Sequence, residues 1–402
     1  MGELKRASPA KVERPLLVFV HGSAELYGSD KVLLNLVTAL SDEADFQPLV
    51  LLHEDGPLMA ALQSAGVETH VGGVAKIERS MLRLQAPWVL WRALQQSLVD
   101  LDRVVSLRPV SAVYSNTLAV LGGAYWAWRR GFKHLWHVHE IIRRPALVRR
   151  GLPWLANHFS DRVVSNSLQT ERWLLQQSPG LRSRSTVIFN GLPPVPPARE
   201  ADRQASRARL GLEPADILVS LVGRLNHWKG QDLLVQAFGR LQVQGRLGAL
   251  QAAIVGDVFA GHEGVRAALV AQVNAAGLNQ KVHFVPFQAD IYPIWWASDI
   301  AVVPSLEPEP FGLVAIEAMA CGVPVVAAAH GGLLDIVEHE VTGLLFRPRD
   351  ADALAQALLR LADDTALRQS LGAAGKMRQS AQFSLQSQVQ QTRELCLELV
   401  AA

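Results

Sequence analysis

Short apolar, β-branched runs alternate along the chain with longer stretches in which apolar residues recur at helical spacing. In the first half the runs are Leu16–Val20, Leu49–Leu52, Ala112–Ser115, His134–His139, Arg162–Ser165 and Thr186–Phe189. Near-continuous apolarity over so short a run is what a strand buried on both faces requires, so the pattern predicts an α/β fold with parallel sheets. From Gly191 to Asp216 the composition changes: Pro193, Pro194, Pro196 and Pro197 have no amide proton for a ladder, and an Arg/Glu/Gln-rich segment follows. The rhythm then restarts with Ile217–Val222, Ala252–Val255, Val282–Val285, Ile300–Val303, Val323–Val326 and Gly343–Phe346, which predicts two α/β halves of six strands each. A last helix is predicted over about Ser384–Val400, with Leu385, Val389, Cys396 and Leu399 near one face. Either half offers that face a surface.

The longest apolar stretch, Phe311–Leu334, has the length of a membrane span, yet it carries Glu317, Pro324, Gly312, Gly322, Gly331 and Gly332. It reads instead as a helix, a turn and a strand inside a core. A chain of 402 residues implies two domains or one large one, and 49% apolar with 19% charged residues excludes a disordered chain. Lysine and arginine total 39 against 37 acidic residues, a balance that gives no bulk-charge case for a nucleic-acid partner. Cys321 and Cys396 offer neither a disulfide framework nor paired zinc ligands, and they fit a reducing cytosol. Met1 to Arg14 is polar and Leu16–Val20 is too short for a secretory core, so the chain is expected to stay in the compartment where it is made.

In parallel sheets the chemistry lies just after the strands, often against a helix N-terminus. The first strand leads through His21-Gly22 to Tyr27-Gly28-Ser29-Asp30-Lys31 and then to a helical stripe. Gly28 can bring its backbone close to a phosphate, and Ser29 or Asp30 can cap the helix; an ordinary glycine turn is the other reading. After Ile217–Val222 comes Gly223-Arg224-Leu225-Asn226-His227-Trp228-Lys229-Gly230, with two cations suited to a diphosphate, Arg224 as a fork and Lys229 as a mobile point charge. The alternative there is a solvated loop.

Glu307-Pro308-Glu309-Pro310-Phe311-Gly312 follows a strand and opens a helix whose free amides near Phe311 to Leu313 can face an anion. On that helix Glu317 stands among Val314, Ile316, Ala318 and Met319, so it is expected to be buried and therefore paired or aimed into a cavity. Two adjacent hydroxyls, as on ribose, would satisfy it; a structural salt bridge would as well.

Other signals carry less. Asp100-Leu101-Asp102 looks like an Asp-x-Asp metal motif but lies in a helical pattern with no strand before it. His137-Val138-His139, read as part of a strand, puts both imidazoles on one face without further zinc ligands. A P-loop and a strand-linked Gly-x-Gly-x-x-Gly are missing. Basic residues mixed with aromatics, namely Arg143, Arg144, Arg149 and Arg150 beside Trp154, and Arg79 to Arg103 with Met81, Arg83, Leu84, Trp88, Leu90, Trp91 and Arg92, suit either anionic headgroups or a solvated helix face.

Taken together, these residues resemble the retaining glycosyltransferases of family four, with the GT-B fold of two Rossmann-like domains facing each other across a cleft. The resemblance is strongest from Leu218 to Phe346, where Glu309 and Glu317 stand as Glu-x7-Glu inside EPFGLVAIEAMACGVPVV. Gly223-Arg224 with Lys229-Gly230, Val255-Gly256-Asp257, Phe189-Asn190-Gly191, Val164-Ser165-Asn166-Ser167, Tyr27-Gly28-Ser29-Asp30, His137-Val138-His139-Glu140, and Gly331-Gly332 with Asp335 support it. The common Gly-Gly before the first helix is Tyr27-Gly28 here, and Asp30 and Asp335 stand where glutamate is frequent.

The resemblance implies a first, acceptor-side domain over 1–192, a Pro-rich linker over 193–214, a donor-side domain over 215–380 and a C-terminal helix in 381–402 that packs back on the first domain. It implies a donor site in which Arg224 and Lys229 hold the diphosphate, Glu317 the ribose, and Glu309 the sugar near the reacting carbon. The Phe311, Gly312 and Leu313 amides would approach phosphate and sugar hydroxyls, Gly28 would close over the diphosphate, and His139 would lie near a donor hydroxyl and the acceptor. His139, Glu309, Arg224 and Lys229 form the implied catalytic set, with no metal and no cofactor beyond the nucleotide-diphosphate sugar substrate.

The implied reaction is retaining transfer of a hexose-type sugar to a hydroxyl on a glycan or lipid-linked acceptor, in bacterial polysaccharide or glycolipid synthesis. It would proceed without a protein nucleophile, in a site assembled by domain closure, in the cytoplasm or at the inner face of the membrane. A nucleotide-sugar epimerase of the same architecture and a non-catalytic sugar-nucleotide-binding protein are the alternatives.

Overall fold

The computed structural model describes residues 14–77, 86–198, 200–259 and 261–402. Residues 1–13 of the polar opening and Arg79, Met81, Arg83 and Leu84 of the basic and aromatic stretch lie outside the described residues. Two compact units result: one takes in the described residues through His137, Gly151–Val163 and Thr392–Ala402, the other Val138–Arg150 and Val164–Gln391.

Strands β1 (Leu16–His21), β2 (Gln47–Leu52), β3 (Glu68–Val71), β4 (Val110–Asn116), β5 (Lys133–Val138), β6 (Arg162–Ser165) and β7 (Ser185–Val187) form one sheet, ordered β3-β2-β1-β4-β5-β6-β7. Strands β8 (Ile217–Val222), β9 (Leu250–Val255), β10 (Val282–Val285), β11 (Ile300–Val303), β12 (Val325–Ala328) and β13 (Gly343–Phe346) form the other, ordered β10-β9-β8-β11-β12-β13. Parallel pairing runs through both, as between β1 and β4 and between β8 and β9. Helices α1 (Gly28–Ser41), α2 (Pro57–Ser64), α3 (Ala86–Val105), α4 (Gly122–Arg130), α5 (Ala146–Phe159) and α6 (Leu168–Gln177) alternate with the strands of the first sheet, and α7 (Glu200–Arg209) follows. Helices α8 (Gln231–Val243), α9 (Glu263–Ala275), α10 (Tyr292–Ala297), α11 (Leu313–Ala320), α12 (Leu333–Ile336) and α13 (Ala351–Asp363) do so in the second, before α14 (Thr365–Gln382) and α15 (Leu385–Ala401).

The two sheets are Rossmann-like, but among the described residues the first has seven strands where six are expected from sequence. The extra one, β3, is a four-residue edge strand, Glu-Thr-His-Val, whose Glu68 is held by Arg108 at 2.8 Å. An edge strand with a polar alternation carries no apolar run to find. In the second sheet successive residues serve opposite cores: Val219, Ala252, Ile254, Ile300 and Val302 pack on one face, Leu218, Ala253, Val255, Ala301 and Val303 on the other. That is why these strands read as nearly continuous apolar runs. Helix starts follow local chemistry: Asp350 accepts the amides of Asp352 and Ala353 at 3.1 and 3.0 Å, and Ser167 accepts that of Thr170 at 3.0 Å.

Between residues 193 and 214 the chain forms helix α7 rather than an open linker. Arg203 and Arg207, four apart and so on one helix face, both reach Asp299 at 2.7 and 2.9 Å. At the other end of the chain, Arg393 on α15 pairs with Asp45 and with Glu43, all three in the first unit. Asp100 accepts from the Gly73 amide at 2.9 Å and from Arg103 at 2.8 Å, while Asp102 accepts from Trp126 Nε1 at 2.9 Å and pairs with Arg130. Both carboxylates therefore anchor α3. Among the described residues no helix is long and apolar enough to cross a membrane, and Phe311–Leu334 forms α11, a turn and β12 in place of a span.

Candidate active site

The order of the second sheet reverses between β8 and β11, and a parallel sheet leaves room for a ligand outside the carboxyl ends of two such strands. The loops that leave those two strands are bound together. The amide of Leu306 donates to the carbonyl of Trp228 at 2.7 Å, and Asn226 Oδ1 accepts the amides of Trp228 and Lys229 at 3.1 and 2.9 Å. At Gly230, φ is +78° and an added Cβ would stand 2.1 Å from the Pro304 carbonyl oxygen, so only glycine lets the loops approach this closely.

This folding turns Lys229 onto Glu309. Lys229 Nζ lies 2.6 Å from Glu309 Oε1, and Ser305 Oγ donates to the same oxygen at 2.6 Å. Glu309 is only 5% exposed, so it is a buried carboxylate held by one cation and one hydroxyl. Arg224, on the same loop as Lys229, lies with its guanidinium 3.6 Å from the centre of the Phe259 ring.

The rest of the Glu309 loop is held by its backbone. The Glu309 carbonyl accepts the Gly332 amide at 2.7 Å, and the Pro310 carbonyl accepts the hydroxyls of Ser167 and Thr170 at 2.5 and 3.1 Å. Asp335 accepts the Gln169 amide at 3.2 Å; burial nevertheless raises its pKa, against those hydrogen bonds. His330 Nε2 donates to the Ser305 carbonyl at 2.7 Å, and burial lowers the His330 pKa, which keeps the imidazole neutral near pH 7.

Phe311 buries its ring among Phe189 and Phe383, with centroids 6.3 and 5.9 Å away, so only its backbone is left for a ligand. Gly312 (φ +121°) precedes α11, where Leu313 is the first residue. Glu317 is half-buried, not buried as the apolar neighbours suggest. On α11 the residues Ala315, Ile316, Ala318 and Met319 pack inward, whereas Leu313, Val314 and Glu317, with Cys321 just after the helix, share the more open face. Around that face the Tyr292 hydroxyl and the Cys321 thiol are each pushed up to about 12, chiefly by burial and then by the Glu317 carboxylate.

His139 lies just past the end of β5, outside the strand on which a same-face pair with His137 is expected. Its amide donates to Glu140 Oε2 at 3.0 Å instead of entering a ladder, and Asn166 Nδ2 stands 3.5 Å from its Nδ1. His137 is buried, its Nδ1 2.6 Å from the Tyr114 hydroxyl, and burial lowers its pKa to about 3. Gly28 opens α1 in the first unit with φ +34° and no atom within 4 Å of where a Cβ would stand. Next to it Asp30 accepts from Ser23 Oγ and the Tyr27 amide at 3.2 and 3.3 Å and lies 2.8 Å from His21 Nε2.

Arg224, Lys229, Glu309, Phe311, Gly312, Leu313, Glu317 and His139 thus all belong to the second unit, and Gly28 to the first. Sequence reasoning missed Ser305, Asn226 and His330. Each had a faint signal: Ser305 follows the apolar run of β11 almost directly, Asn226 sits between the two cations, and His330 precedes Gly331-Gly332.

The family model described as "Glycosyl transferases group 1" matches residues 202–378, and that described as "Glycosyltransferase Family 4" matches residues 27–194. A D-inositol 3-phosphate glycosyltransferase of Rhodococcus opacus is 35% identical over 216 residues, 53% of this chain and 48% of that protein. The chain spans about half the length of the curated relatives it matches. Among solved structures, HepE of Anabaena, crystallised with UDP and glucose, is 26% identical with a TM-score of 0.82 over 95% of this chain and 99% of that one. A sucrose-phosphate synthase of Thermosynechococcus elongatus is 25% identical with a TM-score of 0.75 over 96% and 99% of the two chains.

Proposed function

The chain belongs to the group 1, family four glycosyltransferases of GT-B architecture, and on that premise we propose that it transfers a hexose-type sugar from a nucleotide-diphosphate sugar to a hydroxyl acceptor, with retention and without a metal ion. The observation that carries the reading is the Lys229–Glu309 pair at the switch point of the second sheet, beside the start of α11. As the donor's sugar bond breaks, negative charge develops on the leaving diphosphate and positive charge on the sugar. Arg224, Lys229 and the first amides of α11 are fixed donors for the former, and the Glu309 carboxylate suits the latter. The departing phosphate takes the acceptor proton on the same face, so the residues bind and orient rather than form a covalent intermediate.

Glu317 takes the two ribose hydroxyls. Glu317→Gln is expected to weaken binding of UDP about ten- to a hundredfold, since a hydrogen bond to a charged group is worth roughly 1.5–3 kcal/mol. Unchanged affinity by calorimetry removes Glu317 from this role. His139, beside Asn166, is assigned to a donor hydroxyl and the acceptor.

A uridine diphosphate donor is supported by the UDP and glucose named for HepE. Thermal-shift screening of UDP, ADP, GDP and TDP and their glucose conjugates, followed by donor hydrolysis with and without EDTA, tests the proposal. Stabilisation by none of them overturns it, and conversion of the donor alone into an isomeric nucleotide sugar favours an epimerase. Loss of turnover in EDTA defeats the metal-free mechanism.

The acceptor is assigned as a glycan or lipid-linked glycan, in bacterial polysaccharide or glycolipid synthesis on the cytoplasmic side of a membrane. Supporting a bilayer contact, Trp88 and Trp91 of α3 and Trp128 of α4 are each more than half exposed, with Arg92 4.6 Å over Trp88 and Gln95 bonded to Tyr125 between the helices. The protein is expected to co-sediment with phosphatidylglycerol–phosphatidylcholine vesicles. The triple change of Trp88, Trp91 and Trp128 to Ala should abolish this, and equal recovery of both proteins in the pellet refutes the contact.

A further inference from the structure

Ser305 has no part in the site as read from sequence, yet it is fully buried and spends its hydroxyl proton on the same carboxylate oxygen that Lys229 holds. Oε1 of Glu309 therefore has two donors within 2.6 Å, while none of the described residues donates to Oε2. In the proposed function Lys229 serves the donor diphosphate. An ammonium group shared between a carboxylate and a more highly charged diphosphate turns toward the diphosphate when it arrives. Glu309 would then be a buried carboxylate with one remaining donor.

We infer that Ser305 is a positioning residue for Glu309, anchoring Oε1 when Lys229 turns to the bound diphosphate so that Oε2 keeps its aim at the sugar. This rests on the roles proposed above for Glu309 and Lys229.

The backbone around this pair is built for such an anchor. The carbonyl of Ser305 accepts His330 Nε2–H at 2.7 Å, and the carbonyl of Glu309 accepts the Gly332 amide at 2.7 Å. Both ends of the segment from Ser305 to Glu309 are thus gripped by one short loop, His330-Gly331-Gly332, that leaves β12. The side-chain bond closes that segment internally at 2.6 Å, a length usual for a hydroxyl donating to a charged oxygen. Lys229 comes from a different loop and reaches Glu309 through a long, rotatable stem, so it is the partner free to leave.

The test uses the full chain with UDP and UDP-glucose. For Ser305→Ala, turnover of UDP-glucose is expected to fall about ten- to a hundredfold, as for loss of a hydrogen bond to a charged group. KM for UDP-glucose and Kd for UDP should stay within about twofold, because Arg224 and Lys229 are untouched, and Tm within a few degrees. Ser305→Cys, nearly isosteric and a weak donor, should fall between alanine and wild type, and it decides the matter if the alanine variant does not fold. Wild-type turnover in the variants, or a loss matched by equal losses of UDP affinity and Tm, overturns the inference.

A crystal structure with UDP gives a readout independent of turnover. Lys229 Nζ should move to the phosphates while Ser305 Oγ stays on Oε1, and an ammonium still seated on Oε1 refutes the inference. Glu309→Gln and Lys229→Ala separate the two levels. If they too turn over UDP-glucose at the wild-type rate, the underlying site reading fails; if only the Ser305 variants do, this inference alone fails.

Discussion

Lys229→Ala lowers kcat/KM for the nucleotide sugar by about a hundred- to a thousandfold, the range found when one fixed donor to developing transition-state charge is removed. Two losses combine in this expected result. In the proposed role of Lys229 the leaving diphosphate loses a cation, and Glu309, buried and paired to Lys229 at 2.6 Å, loses the charge that offsets its desolvation. Breaking such a pair from one side costs about 3–5 kcal/mol, so the variant should also unfold at lower denaturant. The two effects separate in Lys229→Ala combined with Glu309→Gln, which removes the uncompensated carboxylate: stability is expected to recover while activity does not. Lys229→Arg should rescue poorly, because a planar fork does not replace a compact ammonium at one carboxylate oxygen. Wild-type kcat/KM in Lys229→Ala would remove the diphosphate role.

Gly331→Ala is expected to destabilise the protein by about 3 kcal/mol and to lower turnover at least tenfold. An added Cβ at Gly331 would stand 2.3 Å from the Glu309 carbonyl oxygen and 2.7 Å from its amide nitrogen, and φ is +60°. The left-handed backbone costs about 1–2 kcal/mol for a residue with a side chain, and the overpacking about 1–3 kcal/mol more. The obstacle is backbone, which cannot swing aside, so the Glu309 loop itself must move. Gly211→Ala is the control: φ there is +68° but nothing lies within 4 Å of the added Cβ. It should cost only the backbone part and leave turnover unchanged. Equal denaturation midpoints for the two variants would show that the close approach at Gly331 carries no weight.

These sites were legible in the sequence to different depths, for reasons of range. Arg224, Lys229, Glu309 and Glu317 stand in contiguous stretches directly after apolar runs, and a parallel sheet puts its chemistry at such strand ends. The pairing of Lys229 with Glu309 was not legible, since the residues are 80 positions apart and meet only because β8 and β11 are neighbours. Glu317 was read as buried because its sequence neighbours are apolar, but a helix presents every third or fourth residue to the same side, and its side is shared with Leu313, Val314 and Cys321. β3 was missed because an edge strand need not be apolar, and α7 was hidden by the prolines before it.

By itself, the amino-acid order determined that the chain forms two parallel α/β sheets, because strands buried on both faces are apolar at nearly every position, and this is visible without any contact. It also determined which short segments bear cations, carboxylates and glycines at strand ends. Only the tertiary structure decided that Glu309, and not Glu317, is the buried carboxylate, that Ser305 and Lys229 share one of its oxygens, and that His330 and Gly332 hold the loop between. Burial and hydrogen bonding of a polar side chain depend on which distant strand end folds beside it, and periodicity along the chain carries no record of that.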